Sequence, residues 1–458
     1  MGVLFSALKN GEFVRLTRHS MSDLIMRLGL VALLGLAGGI AHGEDWPHWR
    51  GAQRNGTTSE SSRWEEGGWQ KPREHWRVAV GEGSSSPLVV AGHVYTLGWA
   101  DGQEQISRLD TDSGRVDWRQ AYRAPQYGRR SDGDKGLYSG PSATPEYDPL
   151  TGRLYTLGSD GELQCREAAT GKLVWRRPLY DEFEVPQRPK VGRSGRRDYG
   201  CTSAPVVAGE MLVVEIGAAT GCLVGFDKRD GRTLWQSQSK SPAGHTGGPV
   251  PLSVQGVPCV AVHNFDGLLV TRLDPEHLGE TVAEFPWRTE FANNIASLTV
   301  CDDSVLLTSH YNQQKTARIR VTLRGAERVW EQNVASKVCS PVVRDGHVYL
   351  AWQEVICLDF DTGRIRWRGG RTGDPGSCIA TADDRIIVWS GRGTLSLVDS
   401  ARRSPDRYHE LSSHPVLSNT DAWPHVVLSR GRLYCKDRGG ALVCLDLSAM
   451  SGKTPTEK

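Results

Sequence analysis

The chain lacks the short motifs that mark most catalytic sites. It has no G-x-S-x-G nucleophile turn, no Gly-rich loop ending in G-K-[ST], and no H-E-x-x-H helix. Nucleophilic hydrolysis, P-loop nucleotide chemistry and zinc-protease chemistry therefore have no support. Its ten cysteines form no C-x-x-C, no adjacent pair and no Cys–His cluster at zinc spacing, so a structural metal site is not expected. No apolar run reaches the roughly 20 residues that a spanning helix needs. Charge of one sign is also missing. With 55 basic and 53 acidic residues the formal net charge is +2, which gives no global reason to seek nucleic acid or an anionic membrane.

Gly, Pro and Trp are plentiful. Fifty-two Gly and 23 Pro suit a turn-rich β protein, and 15 Trp in 458 residues call for a structural explanation. The longest apolar run, Leu28 to Ile40, follows Arg27 and precedes Ala41-His42-Gly43. At about 13 residues it reads as an export signal cleaved after Gly43, with an uncleaved anchor as the alternative. Met21 and Met26 are alternative starts. No Cys follows the run to carry a lipid. Residues 1–43 hold four basic and two acidic residues, so the mature chain is formally neutral. Export permits disulfides, but most cysteines sit inside apolar strand patterns such as LVCLDL and VICLDF. They are expected to be buried free thiols.

A search for internal periods organises the rest. SRLDTDSGRVDWRQ, QCREAATGKLVWRR, VGFDKRDGRTLWQS and ICLDFDTGRIRWRG align without gaps. Each is an apolar strand, usually an Asp, a turn ending in Gly, and a second strand carrying Trp. The pairs are Gly114/Trp118, Gly171/Trp175, Gly231/Trp235 and Gly363/Trp367. The Asp (Asp110, Asp227, Asp359) is placed to accept bonds from turn N–H groups, and the Gly takes the positive φ of the turn. The Trp is a plate for packing between neighbouring sheets. Trp287 and Trp330 end weaker copies, and Tyr408-His409 stands where another Trp is expected. The last copy, LVCLDLSAM, stops without its Trp strand. Glu74-His75-Trp76-Arg77-Val78 matches that missing strand, so the N-terminal side is expected to complete the last unit and close a ring. Small-residue and Pro segments such as SSSPLVV and CTSAPVV open each unit and give it four strands. The expected fold is all-β, one β-propeller of eight four-stranded blades, with seven as the fallback. Residues 1–43 read as the signal, 44–73 as a lead-in lying against the ring, 74–449 as the propeller and 450–458 as a disordered tail.

The D-x-x-[TD]-G-x-x-x-W repeat with small-and-Pro strand starts resembles the PQQ-like repeat family, which includes quinoprotein alcohol dehydrogenases and the BamB-type outer-membrane assembly factor. The resemblance covers almost all of the mature chain, and the opening Trp46-Pro47-His48-Trp49-Arg50-Gly51 is similar to the start of many exported members. For the dehydrogenases it implies PQQ held between a Trp and an adjacent Cys-Cys disulfide, Ca²⁺ held by Glu, Asn and Asp, and an Asp base. This chain has no adjacent Cys pair, no recognisable Glu/Asn/Asp set and no C-x-x-C-H haem motif, and it is shorter than those enzymes. No catalytic residue, no metal and no cofactor is therefore assigned, with PQQ and Ca²⁺ kept as the alternative.

Any site is expected on the face bearing the blade-to-blade and second-to-third-strand loops. Arg188, Lys190, Arg193, Arg196 and Arg197 form a basic run in one long connection, either a lid for an anionic ligand or partner, or a solvated loop. His245 and Asn293 lie at inner-strand starts. Asn264 and Asp266, and His310 and Asn312, lie in second-to-third-strand turns, where Asn and Asp also serve as ordinary turn formers. Trp423 either lines the channel or packs in the core. These readings favour an exported, non-catalytic binding or assembly scaffold for a protein partner or small ligand, without nucleic-acid binding or stable membrane insertion. The alternatives are a periplasmic quinoprotein dehydrogenase and a carbohydrate- or metal-binding propeller.

Overall fold

The computed structural model describes residues 8–9, 12–13, 43–64, 69, 73–124, 140–185, 199–290 and 293–447. The apolar run Leu28 to Ile40 and residues 448–458 lie outside these. Two compact units divide the chain after Gly43. The described part of the first is an antiparallel pair, Leu8–Lys9 with Glu12–Phe13. The second unit, from Glu44, is all-β apart from one helical turn, Leu179–Phe183, among its described residues.

Eight antiparallel sheets follow one another along this second unit. They are blade 1 (88–123), blade 2 (146–178), blade 3 (206–236), blade 4 (250–286), blade 5 (299–332), blade 6 (342–373), blade 7 (376–415) and blade 8 (427–446). The innermost strands of blades 2 to 7 lie side by side in order, and that of blade 8 lies beside that of blade 1. Ser86 N donates to Thr144 Oγ1 between blades 1 and 2, and Val426 N to Ser377 Oγ between blades 7 and 8, so the sheets form a ring. In blade 6 one segment, His347–Asp359, supplies both middle strands and turns at Gln353, φ 65°. Blade 8 has three strands of its own, and Glu74–Ala79 pairs with Ala441–Asp446 as the fourth. The N-terminal strand thus supplies the outermost strand of the last blade and closes the ring.

Burial follows position within a blade. Gly221–Asp227, a third strand with sheets on both faces, is buried along its whole length, whereas the outermost Val116–Arg123 alternates half-buried and exposed residues. Period-2 patterning is therefore clearest at the rim, although the third strand Lys315–Thr322 of blade 5 also alternates, and many inner strands read as continuous apolar runs.

The Trp repeat is an interblade latch. In all eight blades the pairing of third and outermost strands slips register, once in seven of them and twice in blade 6. The bulge turns the residue beside it toward the next blade. That residue is Trp118, Trp175, Trp235, Trp330, Trp367 or Trp76 in six of them. The indole N–H of Trp76 donates to Thr111 O at 2.8 Å, Trp118 to Ala168 O at 3.1 Å, and Trp330 to Phe360 O at 2.8 Å, each carbonyl in the turn of the following blade. The turn itself is built as its residues require. Asp110 O accepts from Gly114 N, and Asp110 Oδ1 from Ser113 N.

Two sequence expectations need correction. Ala283 holds the register position in blade 4 and Ser412 in blade 7. Trp287 lies beyond its strand, and its indole donates to Ser309 Oγ at 2.9 Å. Tyr408 packs against Gly369 of blade 6 and Trp367. Neither aromatic takes the latch position, because the bulge selects a backbone register and not a residue type.

The latch explains the glycines. Gly363 has φ 70°, and a Cβ there would lie 2.6 Å from the Trp330 ring. Gly363→Ala is expected to destabilise the ring by about 2 kcal/mol, from a left-handed backbone that a side chain resists and from the displaced indole. Urea denaturation measures this, and an unchanged midpoint would refute the latch.

Candidate functional site

The lead-in does more than lie against the ring. Trp46 forms an antiparallel bridge to Val89 of blade 1. His48 and Arg54 both reach Glu146 of blade 2, whose carboxylate also accepts from Val207 N of blade 3 at 3.0 Å. Burial opposes charge on Glu146, but Arg54 and then His48 outweigh it and hold its carboxyl below the ordinary value. Trp49 Nε1 donates to Ser297 Oγ at 3.0 Å. Arg50 donates to Thr299 Oγ1 at 2.8 Å and Leu298 O at 3.2 Å beside blade 5, and to Pro341 O beside blade 6. Gly56 and Thr58 exchange backbone bonds with Ala380 of blade 7, and Glu60 accepts from the N–H groups of Arg430 and Gly431 of blade 8. The segment is a strap joined directly to six blades, and through Glu146 to a seventh.

The strap forms the floor of a cavity on the ring axis. Trp49 lines it, together with the segments that lead into the innermost strands. Ser84 precedes blade 1, Ser142 blade 2, Tyr199 and Thr202 blade 3, His245 and Thr246 blade 4, Ile295 blade 5, Val338 blade 6, and Trp423 and His425 blade 8. The space is about 630 Å³, part of it open to solvent. The small-and-Pro segments converge here.

The aromatic groups are held in place. Trp49 and His425 have ring centroids 4.4 Å apart, and Tyr199 meets His245 edge-on at 4.9 Å. The Arg438 guanidinium lies 4.4 Å over Trp423 and is itself held by both oxygens of Asp421, at 2.8 and 2.7 Å. Burial, helped by the charge of Arg50, lowers the His425 pKa to about 3. His425 is therefore neutral at physiological pH. The described lining offers aromatic faces and hydroxyl groups, and contains no carboxylate, Lys or Arg. Such a surface suits an uncharged ligand with an apolar face. PQQ is a tricarboxylate bound with Ca²⁺, which needs oxygen-anion ligands. The described lining supplies neither those ligands nor cations for the carboxylates, and does not fit that group.

Of the residues singled out from sequence, His245 and Trp423 meet in this cavity. Asn264 and Asp266 lie in a separate surface hollow. There Asn264 Oδ1 accepts from the N–H groups of Asp266 and Gly267, and Asp266 accepts from Ser241 Oγ. Asn293 is buried at the start leading into blade 5, with its N–H on Glu290 O. His310 lies in another hollow, its ring tilted against Trp352 with centroids 4.2 Å apart, and Asn312 accepts from Glu290 N. Among the described residues no group of three or more His, Cys, Asp or Glu is placed to hold a metal. Arg188, Lys190, Arg193, Arg196 and Arg197 lie outside the described residues. Sequence reasoning missed Trp49, Tyr199 and His425 as cavity residues. The available signal was that each stands beside a convergent strand start or in the strap.

Comparison with known proteins fits this architecture. The chain is 28% identical over 168 residues to the dehydrogenase subunit of a quinone-type alcohol dehydrogenase from Gluconobacter oxydans (strain 621H), covering 35% of this chain and 20% of that protein. The matched region is thus about a fifth of that relative. Among solved structures, BamB from Moraxella catarrhalis superposes with a TM-score of 0.53 at 13% identity, over 82% of this chain and 99% of that one. The quinohemoprotein alcohol dehydrogenase from Comamonas testosteroni gives 0.58 at 12% identity, over 90% and 82%. These likenesses concern the fold. The family described as outer membrane protein assembly factor BamB matches residues 70–144 and 150–369, from the closing strand through blade 6. On that match the chain belongs to this family of PQQ-like β-propellers.

Proposed function

We propose that the chain is an exported, non-catalytic binding scaffold whose channel mouth takes a protein segment or a small uncharged ligand. The observation that carries this is the axial cavity, with its strap floor, its fixed aromatic rings, and a described lining free of the carboxylates and cations that Ca²⁺ and the PQQ carboxylates need. The family description, an assembly factor, supports a role in binding. Export rests on the segment Arg27 to Gly43. No described helix is long and apolar enough to cross a membrane. The second reading, a PQQ-dependent dehydrogenase, is favoured by the relative from Gluconobacter oxydans.

One titration separates them. PQQ with Ca²⁺ is expected to give no saturable absorbance change and no dye-linked oxidation of alcohols or sugars. Tight PQQ binding with turnover overturns the scaffold reading. In parallel, neutral oligosaccharides and extended peptides are titrated against intrinsic Trp fluorescence. A saturable change that is lost in Trp423→Ala is expected for the scaffold, and absence of any response removes the cavity from its role.

A further inference from the structure

No disulfide joins any of the ten cysteines, and nine are buried. Two of them come from different blades and meet. Cys339 precedes the innermost strand of blade 6, and Cys378 lies in the innermost strand of blade 7. Their sulfurs are 3.8 Å apart inside the apolar seam between the two blades. The strap closes over this pair from both sides. Arg50 bonds Pro341 O, two residues beyond Cys339, and Gly56 and Thr58 bond Ala380, two residues beyond Cys378.

We propose that Cys339 and Cys378 are an interblade redox pair that forms a disulfide with a small disulfide oxidant and staples blade 6 to blade 7 beneath the strap. A simple structural thiol needs no partner at this distance, whereas a short closing movement brings these sulfurs to bonding range. The chemistry is balanced exchange. The Cys339 thiolate attacks one sulfur of the oxidant, breaking its S–S bond and releasing one thiolate. The Cys378 sulfur, losing its proton, then attacks Cys339 Sγ and releases the second thiolate. The protein dithiol is oxidised, the oxidant is reduced to two thiols, and the two protein protons go to the two leaving thiolates.

The surroundings set the order of attack. The hydrogen bond from Cys378 pulls the Cys339 thiol down against the effect of burial, and the buried Arg50 guanidinium adds to it. The same bond and burial push Cys378 up. Cys339 is the attacking sulfur and Cys378 the resolving one. Because the strap covers both, exchange is faster before the strap seats or while it is open.

The test uses the full chain and oxidised glutathione, applied either during refolding from denaturant or after folding. Thiols are counted under denaturing conditions and the product is mapped by peptide mass. The expected result is a fall from ten free thiols to eight, a mass lower by about 2 Da, a single 339–378 linkage, and faster loss during refolding than after it. In Cys378→Ser, a volume-conserving change, a glutathione adduct is expected to accumulate on Cys339. Ten thiols retained under both regimes, or a bond between other cysteines, overturns the staple. An adduct elsewhere in Cys378→Ser overturns the order of attack. The outcome is independent of what the axial cavity binds.

Discussion

Arg50→Ala is expected to destabilise the propeller by about 4 kcal/mol. Arg50 is buried, at 3% exposure, and its described partners are oxygens rather than a carboxylate: Thr299 Oγ1 and the carbonyls of Leu298, Asn55 and Pro341. Burial lowers its pKa to about 10, so it remains a cation at neutral pH and its bonds are charge-assisted. Alanine removes the donor fork from the Leu298 and Asn55 carbonyls, while Pro341 O keeps the Thr299 hydroxyl, at about 1–3 kcal/mol for each group left unpaired that water fails to reach. It also opens space between the strap and blades 5 and 6. Arg50→Lys keeps the charge, but a single ammonium does not span acceptors on both sides of the fork. About half the loss is expected from it. Urea unfolding gives the energies, and hydrogen exchange over residues 44–62 separates release of the strap from unfolding of the ring. A loss under about 1 kcal/mol, with exchange unchanged in the strap, would show that Arg50 is not its anchor.

That strap marks the boundary of what was legible in the sequence. The repeat was readable because physical constraints force residue type. Gly114, Gly171, Gly231 and Gly363 all have positive φ and sit under an indole of the preceding blade. The closing strand was readable because Trp76 repeats the same demand at a distance. Where the constraint is weaker the signal fails. Ala283 and Ser412 occupy the latch position without its signature, and nearby Trp287 and Tyr408 drew attention by composition alone. The cavity was harder still. Trp49 reaches Ser297, 248 positions away, and no local period encodes such a contact. His245 was legible from its place at an inner-strand start, and Trp423 only as a residue that either lines the channel or packs in the core. His425 was passed over as the neighbour of Trp423, although its ring is the one that meets the strap.

Lys436 should make the ring more stable as pH rises above about 7. Its side chain is wholly buried at the seam between blades 8 and 1, where Nζ donates to Ser85 O at 3.0 Å and Leu97 O at 2.8 Å. Its own carbonyl accepts from Trp389 Nε1 of blade 7 at 3.3 Å. Three blades therefore meet at one residue. Burial lowers its pKa to about 7, with Asp437 opposing only in part. The unfolded side chain titrates near 10.4. Between those values the unfolded chain holds a proton that the folded chain has released. Stability contributed by this group therefore rises with pH, by about 1.4 kcal/mol per unit, and levels off once the unfolded lysine also deprotonates. Below about pH 7 both states are protonated and the full cost of the buried charge is present. Lys436→Met fills similar volume and removes the titration. It also leaves two carbonyls unpaired, an offset that does not change with pH. The measurement is the difference between wild-type and variant unfolding energies from pH 6 to 9.5, in which the titrations common to both proteins cancel. That difference is expected to be flat below pH 7 and to move in favour of the wild type above it, by about 3 kcal/mol at pH 9.5. Parallel curves across the range would mean that the ammonium is as well solvated in the seam as in water, and that Lys436 is held there for its hydrogen bonds alone.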